Sequence, residues 1–449
     1  MNSPIIFSIP DKTISSEILR DPLGTQVIWG YYGQRIFGNK ITTIANDIRN
    51  YTINLFNHYV VRKIVTSQEY KDIFPHIDQN SKLFKESLIL YLENTVVYSH
   101  VEMSKINQDK NYEGLLGTMR AKKRLDSINA KSPILFYWDN DRGKYFKKRK
   151  EEIEILERQI SLGVHGRYKT PFLEFDFFDS NWEYIGDYLW NKIEKVTNNN
   201  VEWKKVSNDL CNLIINSIST KKNLEVDYKK IDDEIKNNII NIFNENSLQN
   251  WKEFWEEQLG FNNKDAATKI YNNINLTLKN QNIKELFNQS KTELNNDPTE
   301  QVKIDNIIQV ENFLVIIIKI FESLLIQEEN HVDENFLAEL VSQVKTLIFD
   351  EGILPENGLA RVRLNKLIKL CSDHSSDLDF VSKLVEYHKQ IMEERGLYSW
   401  VEIEDTKIRK LGITYSRNEL EKKWDRNLWE HNYYIDSVRN IKIGLNSHE

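Results

Sequence analysis

Two cysteines, eight prolines and sixteen glycines in 449 residues leave this chain short of the residue types that staple or punctuate a fold. Cys211 and Cys371 lie far apart, with no C-x-x-C spacing and no histidine-rich neighbourhood. That argues for a reducing compartment and against structural zinc, and both read as small core residues. Proline and glycine fall well below their usual shares of roughly 5% and 7%, so helical periodicities run on without interruption. Long apolar runs are missing too. The most apolar stretch, Phe313–Ile320, is broken by Lys319 and followed by Glu322, whereas a membrane span needs roughly 20 apolar residues. It reads as a buried helix. Residues 1–10 hold no basic region followed by an apolar one, so no secretory signal is expected and the expected location is cytoplasmic. No H-E-x-x-H, P-loop, G-x-S-x-G or Gly-rich dinucleotide fingerprint occurs. Accordingly no catalytic residue, no cofactor and no metal site is assigned.

What remains is a mostly α, multi-domain helical protein with at most a small β element near 172–178. Its Asn, Lys and Ile content lowers intrinsic helix preference, so tertiary packing must hold the helices. Asp21-Pro22 is a helix start leading into Leu23–Phe37. A helix over 42–65 carries two apolar stripes, one through Ile44, Ile48, Tyr51, Leu55 and Tyr59, the other through Ile53, Phe56, Val60 and Ile64, which means burial on two sides. Further helices are expected over 82–106 and 115–128, and again from Lys144 through Ile160. Gly163–Lys169 reads as an irregular link, and Phe172–Phe178 alternates enough for a strand or extended arm. The sequence Asn295-Asn-Asp-Pro298 with Glu300 combines a loop, an N-cap, a first-turn proline and a capping acid, the clearest internal boundary. A long helix over 299–327 follows. The expected domains are 1–190, with a basic segment at 117–150; 191–296, a central helical region; and 297–449, an acidic helical domain.

Charge is the strongest signal. Between Gly117 and Lys150 eleven Lys and Arg meet three acids, in a chain of net charge −7. Clustered cations release counterions from phosphates, so this segment is a candidate nucleic-acid-binding face. Its residues are Arg120, Lys122, Lys123, Arg124, Arg142, Lys144, Lys147, Lys148, Arg149 and Lys150, joined by Arg167 and Lys169 beside His165. On a helix, 120, 123 and 124 share a face and 122 lies off it. Phe136, Tyr137, Trp138, Tyr145 and Phe146 interleave with the cations, as stacking platforms for unpaired bases would, or as core. The alternative reading pairs the cations with acids of 297–449, where 28 acidic residues outnumber 19 basic ones.

Four further features have two readings each. Arg361, Arg363, Lys366 and Lys369 form an acid-free strip that reads either as a solvated helix face or as part of a helix-turn-helix. Glu174, Asp176 and Asp179, and separately Glu225, Asp227 and Lys229, are spaced to hold Mg²⁺ in a nuclease, although such patterns arise by chance in a chain that is 28% charged. Trp424, Trp429, Tyr433 and Tyr434 suit either core packing or an interface.

Leu19-Arg-Asp-Pro-Leu-Gly24, Ile48-Arg-Asn-Tyr51 and Gly114-Leu-Leu-Gly-Thr-Met-Arg120 resemble an uncharacterised bacterial family whose members tend to be encoded near helicases and nucleases of phage-defence islands. The resemblance covers residues 1–190 and assigns no active residue; Arg20 and Asp21 read as a structural ion pair or cap. It implies an accessory subunit of a defence complex. The expected function is therefore a non-catalytic, nucleic-acid-contacting scaffold that meets DNA or RNA through 117–150 and other protein subunits, such as a helicase, ATPase or nuclease, through its acidic half, with no membrane partner. The alternatives are a metal-dependent nuclease and a purely protein-binding scaffold.

Overall fold

Sparse punctuation gives helices: the computed structural model has 20 α-helices and four short strands among the residues it describes. Those residues are 21–45, 47–73, 81–108, 112–127, 133–136, 154–220, 224–278, 281–294, 297–346, 351–426 and 429–446. The mostly α class is therefore shown. Among the described residues no helix is long and apolar enough to cross a membrane. The chain groups into two compact units. One draws on residues up to Ile36, Lys264–Asn273 and the stretch ending at Tyr433; the other on Phe37–Asn263, residues 274–278 and Tyr434 onward.

The Phe37–Asn263 unit is organised on two helices, Ile48–Thr66 and Lys82–Asn107, buried almost all round. Both stripes of the first helix pack as their spacing predicts. Tyr51 meets Tyr168 and Trp255 on one side, and Phe56 meets Trp203 and Phe243 on another. The helix begins at Ile48 rather than Thr42, because Asp47 is extended and its carboxylate accepts the Arg49 N–H. Pro133–Phe136 is a strand, paired antiparallel with Leu224–Asp227.

The extended segment expected at 172–178 is a correction. Val164–Glu174 is a helix with Pro171 inside it, so the supposed irregular link at 163–169 is helical as well. Phe172 and Phe175 sit three residues apart on Trp255, a helical spacing that mimics alternation when Phe177 and Phe178 follow. Phe178 makes one bridge, to Tyr184, and the β character there ends with it.

In the other unit, Asp297 caps the helix Pro298–Ser323, accepting from Thr299 and Glu300 N–H, and Phe313–Ile320 lies within that helix as expected. Around it lie Glu334–Thr346, Gly358–Ser372 and Asp377–Glu394, the hairpin Val401–Glu404/Lys407–Lys410, and Arg417–Arg426, whose start is a reciprocal Ser416/Glu419 capping box. Asp21 acts as both cap and ion pair. Its Oδ1 accepts the Thr25 N–H at 2.6 Å and its Oδ2 meets Arg395 at 2.9 Å, so the helix starts at Gln26, later than Leu23. The cationic strip at 361–369 divides. Arg363 is buried, donating to Gly24 O and pairing with Glu394, while Arg361, Lys366 and Lys369 stay exposed.

Candidate nucleic-acid interface

The basic helix is Thr118–Asp126, shorter than the expected 115–128 because Gly117 starts it in the left-handed region at φ +86° and Ser127 leaves it extended. A side chain on Gly117 would also strike Ile155, so only glycine fits the start. Ala121 is the buried anchor. The cations divide by role. Arg120 Nη1 donates to Glu154 O at 3.1 Å and Arg124 Nη1 to Tyr98 OH at 3.3 Å, so these guanidinium groups fasten the helix to its neighbours. Lys122 lies 5.6 Å over the Tyr112 ring, and Lys105 holds the acid Asp126 at 2.7 Å. Arg120, Lys122 and Lys123 are exposed, with Lys122 joining Lys105 in holding the Asp126 carboxyl below its usual range, and Met119 beside them is 89% exposed.

Arg142, Lys144, Lys147, Lys148, Arg149 and Lys150 lie outside the described residues, as do Tyr137, Trp138, Tyr145 and Phe146. Arg167 and Lys169 are half-buried on the Val164–Glu174 helix, where Lys169 sits 5.6 Å over the Trp182 ring and Lys82 joins it at 5.8 Å. His165, within the stretch expected to be an irregular link, is buried.

Behind this surface two of the three motif stretches meet. Asn50 donates to Gly114 O at 3.1 Å, and Arg49 donates to Glu113 O while pairing with Asp47 at 2.5 Å. Gly114 has φ +86°, and a Cβ there would sit 2.5 Å from the Asp47 carboxylate, so Ile48-Arg-Asn-Tyr51 and Gly114–Arg120 are fitted to each other. The same pattern recurs deeper. Glu93 is fully buried against Gly163, its Oε1 accepting the Val164 N–H at 3.1 Å, and Gln159 donates to Asn94 at 2.8 Å. His58 and His165 share a hydrogen bond of 3.1 Å between ring nitrogens, Tyr184 OH meets the other His58 nitrogen, and buried Lys85 donates to Trp182 O at 2.7 Å. Sequence reasoning missed this seam. A polar residue once per turn, as at Asn50, Asn54, Asn57 and His58, was the available sign, and it reads equally as the solvated edge of a helix.

Set against protein-family models, curated proteins and solved structures, the chain matches none. The site is thus read from its own geometry. Asp179 is occupied in a turn, accepting from Asn181 and Glu183 N–H at 2.9 Å each, and Glu174 meets Asn39. Among the described residues no three His, Cys, Asp or Glu side chains come together as a metal ion would require. Trp429, Tyr433 and Tyr434 are buried, with Trp429 stacked on Phe287, and Trp424 is half-buried on Glu322.

Burial makes the seam pH-sensitive. It lowers the His58 pKa to about 3, with the Lys85 charge adding to the effect, and takes His165 well below the usual imidazole range. The same burial pushes Glu93 up to about 7. Below the unfolded imidazole pKa the unfolded chain binds more protons than the folded one, so between pH 6.5 and 5 His58 removes about 2 kcal/mol of stability, and His165 acts in the same direction. Glu93 acts oppositely. Its contribution is complete below the unfolded carboxyl pKa and is lost as pH rises through 7, so acidification from pH 7 to 5 restores about 2 kcal/mol. Glu93 therefore offsets the loss from His58 and leaves that from His165, and Glu93→Gln, which removes the offset, should deepen the loss on acidification by about 2 kcal/mol. Urea midpoints at pH 7 and pH 5 decide this; a variant no more acid-sensitive than wild type contradicts the assignment.

Proposed function

We propose that the protein is a non-catalytic subunit that contacts DNA or RNA through the basic segment 117–150 and works in the bacterial cytoplasm with partner proteins of an anti-phage complex. The observation that carries the nucleic-acid reading is the exposed trio Arg120, Lys122 and Lys123 at the start of the most cation-rich stretch of the chain. A solvated face of an acidic protein gains nothing from concentrating eleven cations in 34 positions, whereas a phosphate backbone rewards it through counterion release. The anchoring of Arg120 and Arg124 supports the same view, since guanidinium groups held on backbone and tyrosine oxygens fix the helix that presents the lysines. The defence setting is supported by the resemblance of residues 19–24, 48–51 and 114–120.

Fluorescence anisotropy of labelled duplex DNA, single-stranded DNA and RNA against the full chain, with and without Mg²⁺, tests the reading. Binding of at least one form at about 50 mM salt, with the probe left intact, is expected. Mg²⁺-dependent shortening of the probe would move the protein to the nuclease class instead.

A further inference from the structure

Asn357 and Gly358 form the one Asn-Gly pair in the sequence, and they stand at the joint between a fastened turn and a helix. Ahead of them the chain is tied down. Tyr32 OH donates to Ile353 O at 2.5 Å, Tyr31 OH accepts the Glu356 N–H at 3.3 Å, and Arg361 Nη1 donates to Pro355 O at 2.8 Å and Glu356 O at 3.2 Å. After them runs the Gly358–Ser372 helix.

The joint itself is open. Asn357 is the extended N-cap of that helix, yet its side chain does not make the capping bond that an asparagine there usually accepts. Both residues are exposed, and among the described residues neither the Asn357 carboxamide nor the Gly358 N–H has a hydrogen-bond partner. At the first helical position, Gly358 carries one of the N–H groups that a helix cannot satisfy internally. It sits at φ +79° with nothing within 4 Å of where a Cβ would stand, so neither a side chain of its own nor a neighbour on that side crowds its nitrogen. A nucleophile and a carbonyl joined through one residue, with neither engaged elsewhere, have the proximity that drives an intramolecular reaction.

We infer that Asn357 is a site of covalent self-modification, with water as the only co-reactant. The Gly358 nitrogen gives its proton to solvent base and attacks Asn357 Cγ. The N–Cγ bond forms, the Cγ–Nδ2 bond breaks, and Nδ2 takes up a proton from water and leaves as ammonia. Water then adds to either carbonyl of the five-membered imide and opens it, giving aspartate or its β-linked isomer at 357. Nothing is oxidised or reduced. In the aspartate product the new carboxylate lies beside the unsatisfied N–H groups of the first turn, where negative charge is favoured. It also stands four residues before Arg361, at the edge of a helix that contains no acid over 358–372 and exposes Arg361, Lys366 and Lys369. The conversion therefore alters, in one direction and with time, the charge bordering a cationic helix face. It stands or falls independently of nucleic-acid binding.

The test is incubation of the full folded chain for days, sampled by tryptic mapping. Cleavage after Lys345 and Arg361 releases residues 346–361, in which Asn357 is the only side-chain amide, so a mass gain of about one dalton in that fragment reports this residue alone. Conversion within about tenfold of the rate in a free peptide of the same residues is expected, because the fold engages neither reacting group. It should run faster at about pH 8 than at about pH 6, where the amide nitrogen is less readily deprotonated. Asn357→Gln, which would have to close a six-membered ring, should slow the conversion by at least about tenfold. An acidic species on ion exchange should grow in step with the mass gain. Conversion in the folded chain more than about tenfold slower than in the peptide, or as fast in Asn357→Gln as in the parent, would overturn the proposal.

Discussion

Glu311→Ala is expected to destabilise the protein by about 3–5 kcal/mol, the usual cost of removing one partner of a buried charged network. Glu311 is 0% exposed in the middle of Pro298–Ser323, and its carboxylate accepts four hydrogen bonds. Oε1 takes the Glu430 and His431 N–H groups at 2.5 and 2.9 Å, and Oε2 takes His431 Nδ1 and Tyr433 OH at 2.8 Å each. His431 continues to Thr25 through Nε2 at 3.2 Å, and Thr25 bonds to Asp21. One carboxylate therefore ties residues 21–25 and the 429–433 segment to a central helix. Alanine would leave four donors without an acceptor, the Tyr433 hydroxyl among them fully buried. Glu311→Gln keeps the shape but turns one acceptor into a donor facing donors, so it should recover less than half of the loss. Urea unfolding checks both; an alanine variant within about 1 kcal/mol of wild type would show that the network is not structural.

The second large effect concerns binding. Replacing Lys122, Lys123, Lys147 and Lys148 together by Glu should weaken nucleic-acid affinity by about a thousandfold at low salt, as the loss of several phosphate contacts requires. Arg120 and Arg124 are left in place because they fasten the helix to Glu154 and Tyr98, so a folded variant can be compared with a folded parent. The loss should be nearly uniform across sequences, because phosphate contacts position a complex without reading bases. A four-Glu variant that binds within about threefold of wild type would remove the segment from the interface.

Much of the fold was legible because its signals are local. Asp297-Pro298, the Ser416/Glu419 box and the double stripe of Ile48–Thr66 announce themselves through neighbours three and four residues away. The misplaced strand at 172–178 shows where locality fails. Alternating phenylalanines look extended until Trp255 and Trp190, distant in sequence, supply what they pack on. The cationic helix was legible as composition, since charge needs no fold to be counted. The division of labour within it was not, because that depends on Glu154 O and Tyr98 OH lying within reach. The seam of Glu93, His58 and His165 was hidden for the opposite reason: an isolated buried polar residue carries no periodic signature, and only its partner from another helix explains it.

The most direct test of the central claim is the salt dependence of binding by the wild-type chain, measured by anisotropy on one duplex and one single strand. If the basic segment meets the phosphate backbone with four or more cations, log Kobs should fall linearly with log salt at a slope of about −4 or steeper for duplex, near −0.9 per phosphate, and less steeply for the single strand, near −0.7 per phosphate. A flat dependence, or no binding at the lowest salt by folded protein, would contradict the account and leave the exposed lysines as an ordinary solvated face.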